Sequence, residues 1–465
     1  MGMWREGRAY PPGPAYLTPF GVGRTMRRDP LAFVSGLARD YGDSVLVRMG
    51  PVHFYMFFHP DAVKHVLQEN HQNYVKGPII GRVKVLIGEG LFTSEGSFWR
   101  RQRRLAQPAF HRDRIAGLVD TMVRCTAERL DGWAPRAAER TPFDVAEEMS
   151  ALTLTIVGRA LFGRDLSGEA AAAGRALGVT LEIAAERAMS YAVLPLAIPT
   201  ARNRAFRRAR RVLDDLVYQM IDARRQGGGE AGDLLSMLMA ARDEETGEGM
   251  TRRQLRDEVM TFFLAGHETT AVALSWTWSL LANHSDVVER LRREVADALG
   301  TRSPTIADLP NLPLCRQVVE EAMRLYPPVW GVGRQALKED TVGGYRIPAG
   351  AILSLSPWVT HRHSAIWADP DRFDPDRFAP DQVRSRPKHA YFPFSSGPRL
   401  CIGETFALVE AQIVVAMMMQ RYALALPAGA MVVPEPHLTL RPRGGLPMIL
   451  RPAGAPAAPR VARAG

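Results

Sequence analysis

Phe394-Ser-Ser-Gly-Pro-Arg-Leu-Cys-Ile-Gly403 reads as a loop that ends on a cysteine and opens onto a helix. Tyr391, Phe392 and Pro393 lead into it, and Gly397-Pro398 is turn chemistry. Beyond it, Phe406, Leu408, Val409, Ile413, Val414, Ala416 and Met417 recur at helical spacing up to Tyr422. Cys401 therefore lies at or just before a helix N-terminus. There the backbone N–H groups and the helix dipole favour a thiolate over a thiol. Gly397 and Gly403 lack a Cβ, so backbone can approach the sulfur closely on both sides. A lone soft anion in a glycine-lined loop suits a single-thiolate metal site. Taken alone, a single cysteine is more often a small buried apolar residue.

The loop as a whole resembles the haem-binding loop of the cytochrome P-450 superfamily. Phe394, Gly397, Arg399, Cys401 and Gly403 stand at the matching positions. The resemblance implies haem b with the Cys401 thiolate as axial ligand to iron. It also implies a mainly α fold with small β-sheets (α+β), a triangular prism of helices around a buried haem, formed by residues 1–465 as one domain.

Three further motifs follow the same resemblance. Ala265-Gly-His-Glu-Thr-Thr270 lies in the middle of the longest helical stretch, 252–283. Gly266 costs roughly 1 kcal/mol there relative to Ala. Thr269 and Thr270 can bond back to carbonyls of the preceding turn. These weak helix formers predict a locally opened helix. In the family this is the oxygen-binding groove, formed by Ala265 and Gly266, with Glu268 as the acid and Thr269 as the hydroxyl beside bound oxygen. Splitting O–O needs two protons delivered in a dry pocket, and a hydroxyl fed by a carboxylate is a short relay.

Glu321 and Arg324 sit three apart on one helix face, and Arg377 lies in Phe373-Asp-Pro-Asp-Arg-Phe378. Local sequence alone reads as an exposed pair. The resemblance implies a buried Glu–Arg–Arg network bracing the cysteine loop. Trp99 and Arg103, four apart on one helix face, resemble a motif that contacts a haem propionate. Arg334 and Arg399 match further propionate positions, and arginine suits carboxylate pairing. Arg100, Arg101 and Arg104 are read as surface facing an electron donor. His361 and His363 are read as loop residues, since nothing near them has zinc-ligand spacing.

The composition is that of a soluble globular protein: 465 residues, 46% hydrophobic and 23% charged. Three widely spaced cysteines make no disulfide framework, which fits a reducing cytoplasm. The N-terminus has no apolar core of a signal peptide. The apolar stretch 259–282 carries His267 and Glu268 at its centre, which is costly in lipid, so a buried core helix rather than an integral membrane segment is expected. A net charge of +10 suggests an acidic protein partner, because no nucleic-acid motif accompanies it.

Along the chain the periodicity predicts an extended N-terminal arm over 1–30 and a hairpin of 44–49 with 52–58. It predicts a long irregular loop over 74–98, and helices over most of 98–326, the last spanning 307–326. A second hairpin turns at Gly444-Gly445, and the tail 452–465 is expected to be disordered.

The implied activity is that of a haem-thiolate monooxygenase inserting one atom of O2 into a C–H bond or double bond. The substrate is expected to be hydrophobic: a fatty acid, a terpenoid or a steroid. Its pocket would involve Ile79, Ile80, Leu86, Phe92, Ala265, Val329, Val332 and Leu446. Electrons would come from NAD(P)H through a separate reductase and a ferredoxin or flavodoxin-type donor, and the protein is expected to be monomeric. A peroxide-using or rearranging haem-thiolate enzyme, and a non-catalytic haem ligand-binding protein, stay open as alternatives.

Overall fold

The computed structural model describes residues 10–14, 25–26, 28–49, 52–164, 170–189, 194–227, 233–243 and 245–453. The chain packs as two compact units, each drawn from two separate stretches: Met1–Arg82 with Met323–Cys401, and Val83–Ala322 with Ile402–Gly465.

The first unit is built on a five-stranded sheet. Its order is Ser44–Met49, Val52–Phe57, Ile352–Leu355, Val332–Ala336, Tyr74–Val75. Val52–Phe57 pairs with Ile352–Leu355 in parallel, and the other neighbours are antiparallel. Leu46, Tyr55, Phe57, Leu353 and Leu355 bury one cluster with Val63, Val66 and Leu67. The helix Pro30–Tyr41, N-capped by the Asp29 carboxylate, covers a second with Phe33, Val34 and Leu37. The predicted hairpin is present, although its Gly50-Pro51 turn lies outside the described residues. Most of the predicted N-terminal arm and C-terminal tail also lie outside them.

The second unit is helical. Its axis is the 30-residue helix Arg252–Leu281, started by a capping box between Thr251 and Gln254. At 1.5 Å per residue it is about 45 Å long. The helix Val145–Phe162 packs along it. A three-stranded sheet joins Pro142–Asp144, Pro447–Pro452 and Tyr422–Ala425.

Four expectations change. Residues 78–87 form a helix rather than loop: Pro78 starts it, and Val83, Leu86 and Ile87 bury one face. The helix predicted over 307–326 divides into a 3-10 turn Ile306–Asn311 and a helix Pro313–Leu325, because Pro310 and Pro313 cannot donate. No hairpin turns at Gly444-Gly445. Pro434–Pro436 pairs instead with Leu440–Pro442, while Pro447–Pro452 joins the other sheet. Gly445, at φ +89°, leads into that sheet against Asp144, where a Cβ would lie 2.1 Å from the carboxylate. Finally, the helix 252–281 runs unbroken through Gly266. The glycine serves close packing, since a Cβ there would come within 3.1 Å of Val157.

Candidate functional site

The cysteine loop is a tightly bonded coil. The Cys401 N–H donates to the Phe394 carbonyl at 2.9 Å, and the Leu400 N–H donates to that of Gly397 at 3.0 Å. The helix Glu404–Arg421 follows, with Gly403 at its N-cap. Gly397 has φ +67°, and a Cβ there would lie 2.0 Å from the Leu67 carbonyl oxygen. So the glycine is dictated twice, by conformation and by contact. Cys125 and Cys315 are buried, whereas Cys401 is exposed. Burial pushes the Cys125 and Cys315 thiols upward, so neither is disposed to act as a thiolate.

Behind this loop stands His361, fully buried. Its Nε2 accepts the Phe392 N–H at 3.0 Å, so the proton of the neutral ring sits on Nδ1. Burial, with Arg324 and Arg362 nearby, holds its pKa well below the usual histidine value. The Arg324 guanidinium is buried too and donates to the carbonyls of His361 (2.9 Å), Pro370 (2.6 Å) and Arg372 (3.0 Å). Arg377 donates to the Asp369 carbonyl at 3.0 Å. Arg324 thus holds the backbone of 361–372, and His361 passes that order on to the residue two before Phe394. Glu321 is likewise fully buried, so an exposed Glu321–Arg324 pair is excluded.

In the second unit the long helix is buried on nearly every side. From Leu255 to Ser279, only Ala265, Gly266, Glu268 and Thr269 are not buried. The helix therefore presents one accessible window at its middle, made of the motif residues. The Thr269 hydroxyl donates to the Ala265 carbonyl at 2.6 Å, leaving Oγ1 able to accept a hydrogen bond from another group. His267 faces the other way. It is buried, with Nε2 2.8 Å from Ser150 Oγ and its carbonyl accepting from Thr153 Oγ1 at 3.1 Å. Burial lowers its pKa and keeps it neutral.

Glu268 carries contacts that its sequence neighbourhood does not announce. Its Oε1 accepts the Thr439 hydroxyl at 2.9 Å and pairs with Arg441 Nε at 2.7 Å. Thr439 directly precedes the short strand Leu440–Pro442 and Arg441 lies within it; two apart, both reach the same carboxylate. Leu440 points into the core, and its carbonyl takes the Trp276 indole N–H at 2.7 Å. The sequence signal for them is a Thr-x-Arg spacing at the start of a strand.

Trp99 and Arg103 share the helix Gly96–Ala106 and are both half-buried. Arg334 is buried and donates to the Gly333 carbonyl at 2.9 Å. Arg399 is half-buried within the turn Gly397–Arg399. Arg101 and Arg104 are not free surface as expected. Both pair with the buried Asp243, at 3.4 and 2.9 Å, because a buried carboxylate needs a cation; Arg100 remains exposed.

Among the expected pocket residues, Leu86 and Leu446 have no accessible surface and belong to the core. Phe92 is exposed, and Ile80, Val329 and Val332 are half-buried. The side chain of Ile79 lies outside the described residues. The segment after the 78–87 helix is held by two acidic side chains of the long helix. Asp257 Oδ2 accepts the Glu89 N–H at 2.9 Å, and Glu258 Oε2 accepts that of Leu91 at 3.0 Å. Burial pushes the Glu258 pKa up to about 8.

Among the described residues, no cluster of His, Cys, Asp and Glu is placed to hold a metal ion. No described helix is long and apolar enough to cross a membrane. An exposed single thiol in a glycine cradle, with the half-buried Arg399 two residues before it, fits a haem iron with one thiolate ligand.

A sequence model of the cytochrome P-450 family matches residues 11–448. Cyclooctatin synthase of Streptomyces melanosporofaciens is 39% identical over 435 residues, covering 93% of both chains. Cyclooctat-9-en-7-ol 5-monooxygenase of the same organism is 36% identical, covering 97% of this chain and 96% of that one. Pentalenene oxygenase of Streptomyces avermitilis is 32% identical, covering 90% of each. Among solved structures, the cytochrome P450DA haem domain superposes with a TM-score of 0.87 at 28% identity, covering 96% of this chain and 98% of that one. Family membership implies a haem iron with a thiolate ligand, and the chain, a monooxygenase of this fold, belongs to the cytochrome P-450 family.

Proposed function

We propose that this monooxygenase hydroxylates a terpenoid, with Cys401 as the axial thiolate of haem b and electrons delivered by a separate donor protein. The observation that carries the catalytic reading is the window of Ala265, Gly266, Glu268 and Thr269 in an otherwise buried helix. The terpenoid reading rests on relatives whose names specify cyclooctat-9-en-7-ol and pentalenene, alike over nearly their whole length.

The net reaction takes a substrate C–H bond, O2, two electrons and two protons, and yields C–OH and water. When bound, the haem iron supplies the oxygen chemistry, and its thiolate donates electron density that favours O–O cleavage. Cys401 would hold the iron, and Trp99, Arg103, Arg334 and Arg399 would hold the propionates. Glu268 takes up protons from solvent, and the Thr269 hydroxyl relays them, releasing one proton for each that Oγ1 accepts, beside Ala265 and Gly266. The small side chains at 265 and 266 leave room there for oxygen. NAD(P)H would serve through a reductase and a ferredoxin or flavodoxin-type donor.

A panel of polycyclic terpenes, fatty acids and steroids, titrated against the ferric holoprotein, tests the substrate class. A spin-state shift with terpenes, and an oxygenated terpene product on adding a ferredoxin, its reductase and NAD(P)H, is the expected result. Shifts and products with fatty acids or steroids alone would overturn it.

A further inference from the structure

We infer that Thr439 and Arg441 are positioning residues for proton delivery, acting through Glu268. This rests on the reading of Glu268 as the proton-carrying acid.

A carboxylate in the accessible window of the long helix is a flexible side chain with several rotamers. Nothing within its own helix fixes it: Thr269 is bonded to Ala265, and His267 faces Ser150. Among the described residues, the side chains that bond Glu268 are Thr439 and Arg441, and both contacts fall on Oε1. Thr439 is buried and Arg441 is about one-third exposed. So one partner is a neutral donor in the protein, and the other is a cation that reaches solvent.

The strand is itself pinned. The Trp276 indole lies two turns beyond Glu268 on the same helix and donates to the Leu440 carbonyl. Glu268 and Trp276 thus hold three consecutive residues, 439 to 441, in an alternating manner. The period of two turns both polar side chains to Glu268 and buries Leu440 on the other side. Such an arrangement fixes the register of the strand against the helix, and with it the direction of the carboxylate. A carboxylate held by one oxygen keeps its orientation while it exchanges protons with solvent. Without the strand contacts the carboxylate is no longer held in one direction, proton delivery fails, and electrons then leave as hydrogen peroxide rather than product. The balance is simple: peroxide release consumes the same O2, two electrons and two protons but leaves the substrate unchanged.

A double-mutant cycle on the holoenzyme tests this. The quantity read is coupling, the ratio of product formed to NAD(P)H consumed, with peroxide measured in parallel. Arg441→Met and Thr439→Val are each expected to lower coupling roughly twofold or more, with substrate-induced spin shift unchanged. Arg441→Lys should recover part of the loss. In a Glu268→Gln background, Arg441→Met should add nothing, because its effect runs through the acid. A full additional loss in that background overturns the inference, as does unchanged coupling in both single variants. If Glu268→Gln itself leaves coupling unchanged, the role of Glu268 fails first and takes the inference with it. A second readout is independent of turnover: in Glu268→Ala, hydrogen exchange of the 434–442 hairpin amides should speed up. Unchanged exchange would show that Glu268 does not hold the strand, and would equally overturn the inference.

Discussion

The α-carbon of Gly397 lies so close to the Leu67 carbonyl that a Cβ would sit 2.0 Å from the oxygen. The cysteine loop is thereby seated on the backbone of another segment of its own unit. This contact fixes where the loop lies before any ligand is considered.

Gly397→Ala is therefore expected to unseat the loop. A positive φ costs an L-residue roughly 1–2 kcal/mol, and the clash with the carbonyl adds to it. The purified variant should retain little haem per chain while keeping its helical circular dichroism. Full haem content in the variant would contradict this seating.

His361 supports the same loop from behind. Replacing it with Phe leaves the Phe392 N–H without its acceptor, at a cost of about 1–3 kcal/mol. Thermal unfolding should shift down accordingly. The pH dependence has a definite sign. The folded-state pKa of His361 is depressed by burial and by Arg324 and Arg362, so the folded protein binds fewer protons there than the unfolded chain. Its contribution is present above the ordinary histidine pKa and lost as pH falls below it. His361→Phe should flatten that acid limb, and an unchanged limb would count against the assignment.

Glu258 works in the opposite direction. Its pKa is raised from 4.5 to about 8 by burial, so the folded state binds the proton more tightly than the unfolded chain. Stability is fully present below about pH 4.5 and declines as pH rises towards 8. Glu258→Gln removes the decline while keeping an acceptor for the Leu91 N–H. Chemical unfolding from pH 5 to 9 should show the parent losing stability and the variant holding level. Because Glu258 anchors the segment after the 78–87 helix, exchange of the Leu91 amide should rise over the same interval in the parent only.

The two motif residues of the window give a fourth prediction. General acid–base groups contribute typically ~10²–10⁴ in rate. Glu268→Gln and Thr269→Val should each slow product formation by at least about tenfold, with NAD(P)H diverted to peroxide. Product formation at the parental rate in both variants would remove the proposed proton route.

Much of this was legible in the sequence because the relevant signals are local. Cys401, Gly397 and the following helix lie within one short stretch, and strict periodicity marked the helix 252–281 and its polar interruption. The rest depends on contacts between distant segments. Glu268 meets Thr439 and Arg441 about 170 positions away, and neither residue type is diagnostic there. His361 reads as a loop histidine until its burial and the Phe392 N–H are seen. Gly266 was read as opening the helix, whereas its cause is the approach of Val157 from another helix. The helix 78–87 was hidden by flanking glycines, although its apolar residues have helical spacing. The turn at Gly444-Gly445 was recognised, but turn residues do not say which strands they join.

The central claim is thiolate ligation at Cys401. The direct measurement is the visible spectrum of the purified holoprotein, reduced with dithionite and exposed to carbon monoxide, beside Cys401→Ser. Ligation at Cys401 predicts a strongly red-shifted Soret band in the parent that is lost in the variant. A parent without haem, or a variant keeping the same band, would contradict it.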